Sequence, residues 1–356
     1  MRILARYISV AFIGNVAIAL LALGSIQVLQ SILGQLVEAV HTIPQILYHH
    51  SLQIPEMMIQ MLPPSVMLGT ILTLSGFNRT NELVAIYSIG VGLRQVMSII
   101  VAIVLIMCCF SLIVQDRVLP ILFKKKTIYY WKEMRGRKDF SFDISHNKVW
   151  YRSKNLIYNL KTFDPQTQKI KGMSVYQFDD DFHLQHVLEA KEAIYTDRGW
   201  KLFAGSETTF KNHKDFPVTV KFAEKELVIR ETPQDFEQIE KEVDALRLKE
   251  LYSYIAKIKD SGVDSKTYEV KYHSKISMSL IPLVMCILAV PFSTRQRRQG
   301  GAGRDLAIGF VVTFFYWLLY SIGLSLGSNG AVPPLLAAWL PSILFMGLAG
   351  YLLWRD

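Results

Sequence analysis

Six long apolar stretches constrain this chain more than any other feature of its sequence. A helix needs about 20 apolar residues to cross a bilayer, and each of the six is long enough. They form two groups of three, separated by a stretch of very different composition at roughly 124–272. The sequence therefore predicts an α-helical membrane protein with six transmembrane helices and an inserted soluble domain. The predicted spans lie near 9–36, 55–77, 97–119, 274–293, 305–327 and 333–354.

Positive charges predict how the spans are oriented. Lysine and arginine concentrate in short cytoplasmic loops, and the loops at 37–54 and 328–332 contain neither. We therefore expect both termini to be cytoplasmic and the soluble domain to lie outside. The net charge of +9 is interpreted in the same way and not as a sign of nucleic-acid binding. His49 and His50, in the first outer loop, are interpreted as interfacial polar residues. The inside arginines are Arg2, Arg6, Arg79, Arg94, Arg295, Arg297, Arg298, Arg304 and Arg355.

The central stretch is predicted to be all β. Short segments rich in β-branched and aromatic residues recur between turn signals, which is typical of a sandwich, a jelly roll or an open barrel. Residues 246–262 differ, because their apolar side chains recur at helical spacing and predict a helix that leads into the fourth span. The predicted strands are KVWYRS (148–153), NLIYNLKTF (155–163), MSVYQF (173–178), EAIYTD (192–197), GWKLF (199–203) and VTVKF (218–222).

Residues that carry chemistry are sparse. Cys108, Cys109 and Cys286 all lie in apolar runs, which excludes a disulfide framework and a cysteine metal site from the soluble stretch. The glycine cluster at 300–304 lacks the Walker A spacing. The cores of the predicted spans contain no Asp, Glu, Lys, Arg or His, which argues against an ion-coupled transporter and an intramembrane hydrolase. We predict no catalytic residue, no metal site and no cofactor bound by this chain.

A charged segment between the second and third spans, residues 75–96, predicts a short amphipathic helix at 78–92. Its acidic residue, Glu82, would lie in the first turn, where the helix dipole favours an anion. One interpretation is an interfacial helix lying on lipid; the other is a helix that docks into a groove of a cytoplasmic partner. The leading acidic residue favours the second. The capping candidates are Thr80 and Asn81, the apolar face is Leu83, Ile86 and Tyr87, and the terminators are Gly90 and Gly92.

This segment resembles part of a known family. NELVAIYSIGVGLRQV (81–96) resembles the coupling-helix motif of the lipopolysaccharide-export ABC permeases, the LptF/LptG family. YEVKYHSKISMSLIPLVMCILAVPF (268–292) resembles the family's re-entry into its fourth span, and GSNGAVPPLLAAWLPSILF (327–345) resembles its last loop and span. ILAVPF and PPLLAAWLP are more like the LptG member. The resemblance covers nearly the whole chain. It implies three spans in 1–123, a periplasmic β jelly roll in 124–272 and three spans in 273–356.

The resemblance also implies a function and partners. It implies a non-catalytic permease subunit of the bacterial inner membrane that moves lipopolysaccharide and contacts no nucleic acid. The expected partners are a cytoplasmic ATPase dimer that binds the ATP, a second homologous permease, a periplasmic bridge protein and a single-span regulator. Glu82 matches the family's acidic residue that contacts the ATPase, and Arg79, Leu83 and Ile86 are expected at the same contact.

One departure from the family concerns the lipid phosphates. Family members often carry lysines near the outer end of the first span, whereas SIQVLQSILGQLVEAVH (25–41) has no basic residue. Either the partner permease supplies this charge or other basic residues of this chain do. Lys124, Lys125 and Lys126 could equally anchor the end of a span. Phe314 and Phe315 could face a cavity or plain lipid. The lipid-binding candidates are Arg117, Lys124, Lys125, Lys126, Phe314 and Phe315.

Two other functions stay open. The chain could be another ABC-linked membrane component, such as a lipoprotein-releasing or efflux permease, but those usually have four spans. It could also be a membrane-anchored periplasmic scaffold or receptor, which would have no use for a docking helix at Glu82.

Overall fold

The structure is a computed structural model in which the chain forms two compact units. One unit comprises Met1–Pro120 and Lys259–Asp356, and the other comprises Ile121–Ile258. The first unit is helical and the second contains a β-sheet. The structure describes residues 2–37, 42–134, 141–143, 149–153, 155–164, 169–179, 183–196, 199–210, 216–227, 246–260, 264–293 and 302–355.

Six helices among the described residues are long and apolar enough to cross a membrane, which confirms the predicted number. Five are single helices, and the third span consists of α4 and α5 joined by a π-helical turn at Val114–Val118. A second π-helical turn, Tyr130–Met134, follows α5. The helices are α1 (Arg2–Val37), α2 (Ile43–Arg79), α3 (Glu82–Ser88), α4 (Leu93–Ile113), α5 (Leu119–Tyr129), α6 (Leu248–Asp260), α7 (Lys266–Ser293), α8 (Ala302–Ser328) and α9 (Pro334–Arg355).

The second membrane helix is longer than predicted. It begins at Ile43, inside the region predicted as an outer loop. The backbone N–H of Thr42 donates to Oε1 of Gln45 at 3.1 Å, and Pro44 fits the first turn, where its missing N–H costs no hydrogen bond. A helix of 37 residues is about 55 Å long, whereas the hydrocarbon layer is about 30 Å thick. The extra turns therefore need no apolar composition.

This extension changes the interpretation of two histidines. His49 and His50 were predicted to be interfacial residues of a loop, but they lie on α2 and are only 6% and 3% exposed. The ring of His50 contacts the hydroxyl of Ser31 on α1 and the side chain of Gln53, both at 3.2 Å. The prediction of a loop was wrong because residues 43–54 include a proline, two histidines and two glutamines, a composition that gives only a weak helix signal.

α1 and α2 pack side by side in opposite directions. As the residue number rises along α1, the number of its partner on α2 falls. At Gly69 the two backbones approach closely, because a Cβ there would lie 2.4 Å from a side-chain carbon of Val16. The polar and aromatic contacts along the pair join Tyr7 with Phe77, Asn15 with Thr73, Gln27 with Gln60 and Ser31 with His50.

Helices of the second half of the membrane unit also pack on α2, and α8 runs in the opposite direction to it. The hydroxyl of Ser75 donates to the carboxylate of Asp305 at 2.9 Å, so the start of α8 lies beside the end of α2. Most of α2 and α7 is buried, whereas α1, α8 and α9 leave long apolar faces exposed. Such faces fit helices that contact lipid or another membrane chain. Further contacts join Met67 with Thr313, Ser277 with Tyr320 and Tyr316 with Ser342.

The second unit contains the inserted β structure, which confirms the predicted all-β character of the central stretch. All described pairings are antiparallel and join strands that are consecutive in sequence, so the seven strands form one meander. Alternate residues on one face form a single apolar core around Tyr158 and Trp200. The strands are β1 (Ser141–Asp143), β2 (Val149–Ser153), β3 (Leu156–Asp164), β4 (Lys169–Phe178), β5 (Leu184–Thr196), β6 (Gly199–Thr209) and β7 (Val218–Leu227).

A crease crosses this sheet. Pairing skips one residue in each of five neighbouring strands, and two of these residues, Gly172 and Ala204, have positive φ angles of 68° and 51°. In a regular strand, residues three apart point to opposite faces, yet Ile170 and Met173 are both buried in the same core. Residues on both sides of this line therefore face one continuous core although the alternation of the strand is interrupted between them. The skipped residues are Lys161, Gly172, Lys191, Ala204 and Ala223.

The helix predicted at 246–262 is confirmed as α6, with Leu251 and Ile255 buried on its apolar side. In its last turn, Nζ of Lys259 lies 2.9 Å from the carboxylate of Glu269 on α7. The hydroxyl of Ser265 donates to the same carboxylate at 2.6 Å. A hydrogen-bonded ion pair therefore joins the end of α6 to the start of α7, where the chain returns to the membrane unit.

Candidate functional site

The segment between the second and third spans forms a compact turn-helix-turn, residues 75–96, which we call the elbow. Asn81 separates α2 from α3 with a left-handed φ of 60°, and Gly90 follows α3 with a φ of 85°. Asparagine and glycine are the residues that adopt this region most easily. At the second turn the N–H of Val91 donates to the carbonyl of Ile86 at 3.3 Å. The elbow is therefore built by two sharp reversals that its sequence permits.

The helix of the elbow is shorter than predicted and begins differently. It covers Glu82–Ser88 instead of 78–92, because α2 continues to Arg79. Asn81 occupies the position before the first turn, but its side chain makes no capping hydrogen bond. The hydroxyl of Thr80 donates instead to Oε1 of Glu82 at 2.8 Å. Gly90 ends the helix as predicted.

Leu83 and Ile86 face their own chain. They were expected at a partner contact, but they are only 3% and 6% exposed and belong to the core of the membrane unit. That core also contains Ile8 and Phe12 of α1 and Val96 of α4. An amphipathic pattern locates an apolar face but not the surface that covers it. The two residues therefore anchor the elbow in the apolar core of the membrane unit.

The outer face of the elbow is also partly apolar. Val84, Tyr87 and Ile89 are 46%, 42% and 70% exposed. Arg79 and Arg94 are exposed at the two ends of the elbow, and no described acidic residue forms an ion pair with either of them. Partial burial raises the pKa of the Tyr87 phenol, so this side chain is uncharged at neutral pH. The elbow presents apolar side chains flanked by cations, together with the carboxylate of Glu82.

Glu82 is held by residues outside α3. The phenol of Tyr7 on α1 donates to Oε2 at 2.7 Å, and Thr80 holds the other oxygen. The ring of Tyr7 stacks on Phe77, with centroids 5.5 Å apart and planes inclined by 22°. Sequence reasoning missed Tyr7, because a tyrosine beside arginines at the start of a span has the pattern of a membrane anchor.

The basic lipid-binding candidates lie in two helical segments, the π-helical turn at Val114–Val118 and α5. Arg117 is exposed in the π-helical turn of the third span. The three lysines follow one another on α5, and Nζ of Lys126 lies 4.7 Å from the ring centroid of Phe123. The charged end of this side chain therefore makes a cation–π contact with the aromatic ring.

The two aromatic candidates, Phe314 and Phe315, lie on the exposed apolar face of α8. Their rings meet edge to face with centroids 5.7 Å apart. Exposed neighbours on the same helix are Phe310, Val311, Leu318, Leu319 and Ile322. This face contacts no other helix of the described structure along most of its length.

The described residues contain no group of three histidine, cysteine, aspartate or glutamate side chains that could hold a metal ion. Two of the cysteines, Cys108 and Cys286, are buried in the apolar core of the membrane unit.

Comparison with known proteins agrees with this arrangement. A family model described as "Lipopolysaccharide export system permease LptF/LptG" matches residues 2–355. A relative from Haemophilus influenzae, the lipopolysaccharide export system permease protein LptG, is 23% identical over 98% of each chain. The protein of the same name from Escherichia coli K12 is 25% identical over 82% of this chain and 81% of its own. Both relatives carry the LptG name, as the resemblance of the C-terminal segments predicts. The chain therefore belongs to the lipopolysaccharide export permease family LptF/LptG.

Proposed function

We propose that this chain is the transmembrane permease subunit of an ABC transporter that extracts lipopolysaccharide from the inner membrane and passes it to a periplasmic bridge. Family membership and six membrane-competent helices support a permease of the inner membrane. Six spans also exceed the four of the alternative lipoprotein-releasing and efflux permeases. In this proposal a separate cytoplasmic ATPase dimer binds and hydrolyses the ATP.

The main support for this proposal is that the elbow has a buried inner face and an exposed, partly apolar outer face. Leu83 and Ile86 on its inner face belong to the apolar core of the membrane unit, and its outer face exposes Val84, Tyr87 and Ile89. Such a surface can bind a partner and transmit the partner's conformational change to the membrane helices. A scaffold or receptor without transport would have no need for a braced docking surface.

Co-purification tests this function. The full chain, expressed with its homologous permease and isolated in mild detergent, is expected to carry an ATPase dimer and lipopolysaccharide, both identified by mass spectrometry. Isolation of the folded permease pair with neither of them would contradict the proposal.

The proposal places both termini and the elbow in the cytoplasm and the β-sheet unit in the periplasm. The arginines at the elbow end support this orientation. In a variant without native cysteines, a cysteine introduced at Phe216 in the sheet unit, which is 94% exposed, is expected to react with a membrane-impermeant maleimide on spheroplasts. A cysteine introduced at Ile89 is expected to react only after permeabilisation. Labelling of both positions from one side would contradict this orientation.

The exposed apolar faces of α1 and α8 are proposed to contact the second permease and to cover the lipid between them. Exposing one methylene group to water costs about 0.8 kcal/mol, so ten methylenes of one acyl chain cost about 8 kcal/mol. The acyl chains must therefore stay covered beyond the membrane as well. The sheet unit supports this role, because Val218 and Val220 extend the side of β7 that carries the core residue Phe222 and are about 60% exposed.

The three lysines of α5 are proposed to attract the lipid phosphates. A basic side chain near an anionic lipid surface contributes about 1 kcal/mol. Changing Lys124, Lys125 and Lys126 together to glutamine is expected to lower the lipopolysaccharide bound per permease about tenfold or more, measured by mass spectrometry. The matched triple change to arginine keeps the charge and is expected to bind normally. If the glutamine variant inserts poorly but binds lipid normally per molecule, the lysines are span anchors instead.

A further inference from the structure

Tyr7 links the first membrane helix to the elbow by a polar and an aromatic contact. Tyr7 stacks on Phe77 at the end of α2, and its hydroxyl donates to Oε2 of Glu82 at 2.7 Å. Its neighbours on α1, Ile8 and Phe12, are fully buried in the core that contains Leu83. Tyr7 is therefore held by its stack on Phe77 and by the buried residues of its own helix. Among the described residues, its hydroxyl makes the polar contact between α1 and α3.

The carboxylate of Glu82 is oriented but not saturated. Tyr7 and Thr80 each donate to a different oxygen. An ionised carboxylate accepts about four hydrogen bonds, so about two positions stay available to a partner. The side chain of Glu82 is partly exposed. Two internal donors therefore fix the direction in which the remaining lone pairs point, and a docking cation or N–H group meets a preorganised acceptor.

We propose that Tyr7 is a positioning residue: it fixes the Glu82 carboxylate for the docked ATPase and makes the first turns of α1 follow the movement of α3. The proposal rests on the proposed function of the elbow. α1 exposes a long apolar face, from Ile3 to Leu33, that is available to lipid or to the second permease. A hydrogen bond from α1 to the elbow therefore links the ATPase contact directly to a helix that borders the lipid.

The test compares Tyr7→Phe with Tyr351→Phe in the complete reconstituted complex. The first change removes only the hydroxyl and keeps the stack on Phe77. The second removes the hydroxyl of another exposed tyrosine, for which the described structure gives no hydrogen bond. A hydrogen bond to a charged group is worth more than a neutral one, but exposure to water reduces its value. Tyr7→Phe is expected to lower the lipid released per ATP hydrolysed about threefold to tenfold, with the ATPase still bound, and Tyr351→Phe is expected to leave this ratio unchanged.

A double variant separates positioning from a structural role. In the Glu82→Ala background, Tyr7→Phe is expected to cause no further loss, because its effect passes through the carboxylate. A normal ratio for Tyr7→Phe, or losses that add, would overturn the positioning role. Glu82→Ala that releases lipid normally with bound ATPase would instead overturn the proposed function of the elbow.

A spectroscopic measurement covers the case in which Tyr7→Phe accumulates poorly. The full chain is prepared with 3-fluorotyrosine at position 7, and its ¹⁹F resonance is compared with and without Glu82→Ala. The resonance is expected to shift when the carboxylate is removed and to stay in place for the exposed change Val84→Ala. An unchanged ¹⁹F chemical shift in the Glu82→Ala variant would show that the hydrogen bond is absent and would overturn the proposal.

Discussion

Leu83→Ala is expected to lower the free energy of unfolding of the membrane unit by about 2–5 kcal/mol. Leu83 is almost fully buried in the apolar core that also contains Ile8 and Phe12, so its truncation leaves a cavity in the core beneath the elbow. The thermal unfolding of the purified permease pair, followed in one fixed detergent, measures this loss. The effect is large because it removes the brace of the elbow and not a partner contact.

Val84→Ala is the matched control, one residue further along the same helix. Its side chain is about half exposed, and a surface substitution of this kind usually changes stability by no more than about 0.5 kcal/mol. Val84→Ala is expected to leave thermal unfolding unchanged and to reduce the amount of ATPase that co-purifies. The opposite pattern, with Leu83→Ala stable but unable to bind the ATPase, would show that Leu83 belongs to the partner contact.

Trp200→Ala is expected to cost the sheet unit about 3–5 kcal/mol, a large share of the stability of a domain of this size. Trp200 on β6 is fully buried at the centre of the sheet core, and its ring meets Tyr195 edge to face at 5.2 Å. The expected result is rapid cleavage of residues 121–258 in limited proteolysis, while the membrane helices stay protected by detergent.

Phe216→Ala is the control for this prediction, because Phe216 is 94% exposed beside β7. It is expected to resist proteolysis like the unchanged chain. Equal resistance of Trp200→Ala would mean that the sheet does not depend on the apolar core described above.

Much of this fold follows from the sequence because its main determinants are local. The six spans are predicted by the length of apolar runs, which the bilayer thickness requires. The inserted sheet is predicted by alternating β-branched and aromatic residues such as those of NLIYNLKTF. The elbow is predicted by its glycine and its isolated charges between two spans. Each of these signals lies within about 20 consecutive residues.

The features that the sequence did not predict depend on contacts between distant residues. The burial of Leu83 and Ile86 depends on which surface covers an apolar face, and the pattern of the face alone does not determine this. The bond from Tyr7 to Glu82 joins residues 75 positions apart. The first turns of α2 carry His49 and His50 in a stretch whose composition gives little helix signal. The crease through Gly172 and Ala204 is a property of five paired strands together.

ATP-driven lipid release in proteoliposomes tests the central claim most directly. The complete assembly of this chain, its homologous permease, the ATPase dimer and the bridge protein is compared with the same assembly carrying Glu82→Ala. Release to the bridge is expected to require both ATP and this chain, and Glu82→Ala is expected to lower release per ATP while the subunits stay assembled. Normal release by the Glu82→Ala assembly, or release by this chain without the ATPase, would contradict the central claim.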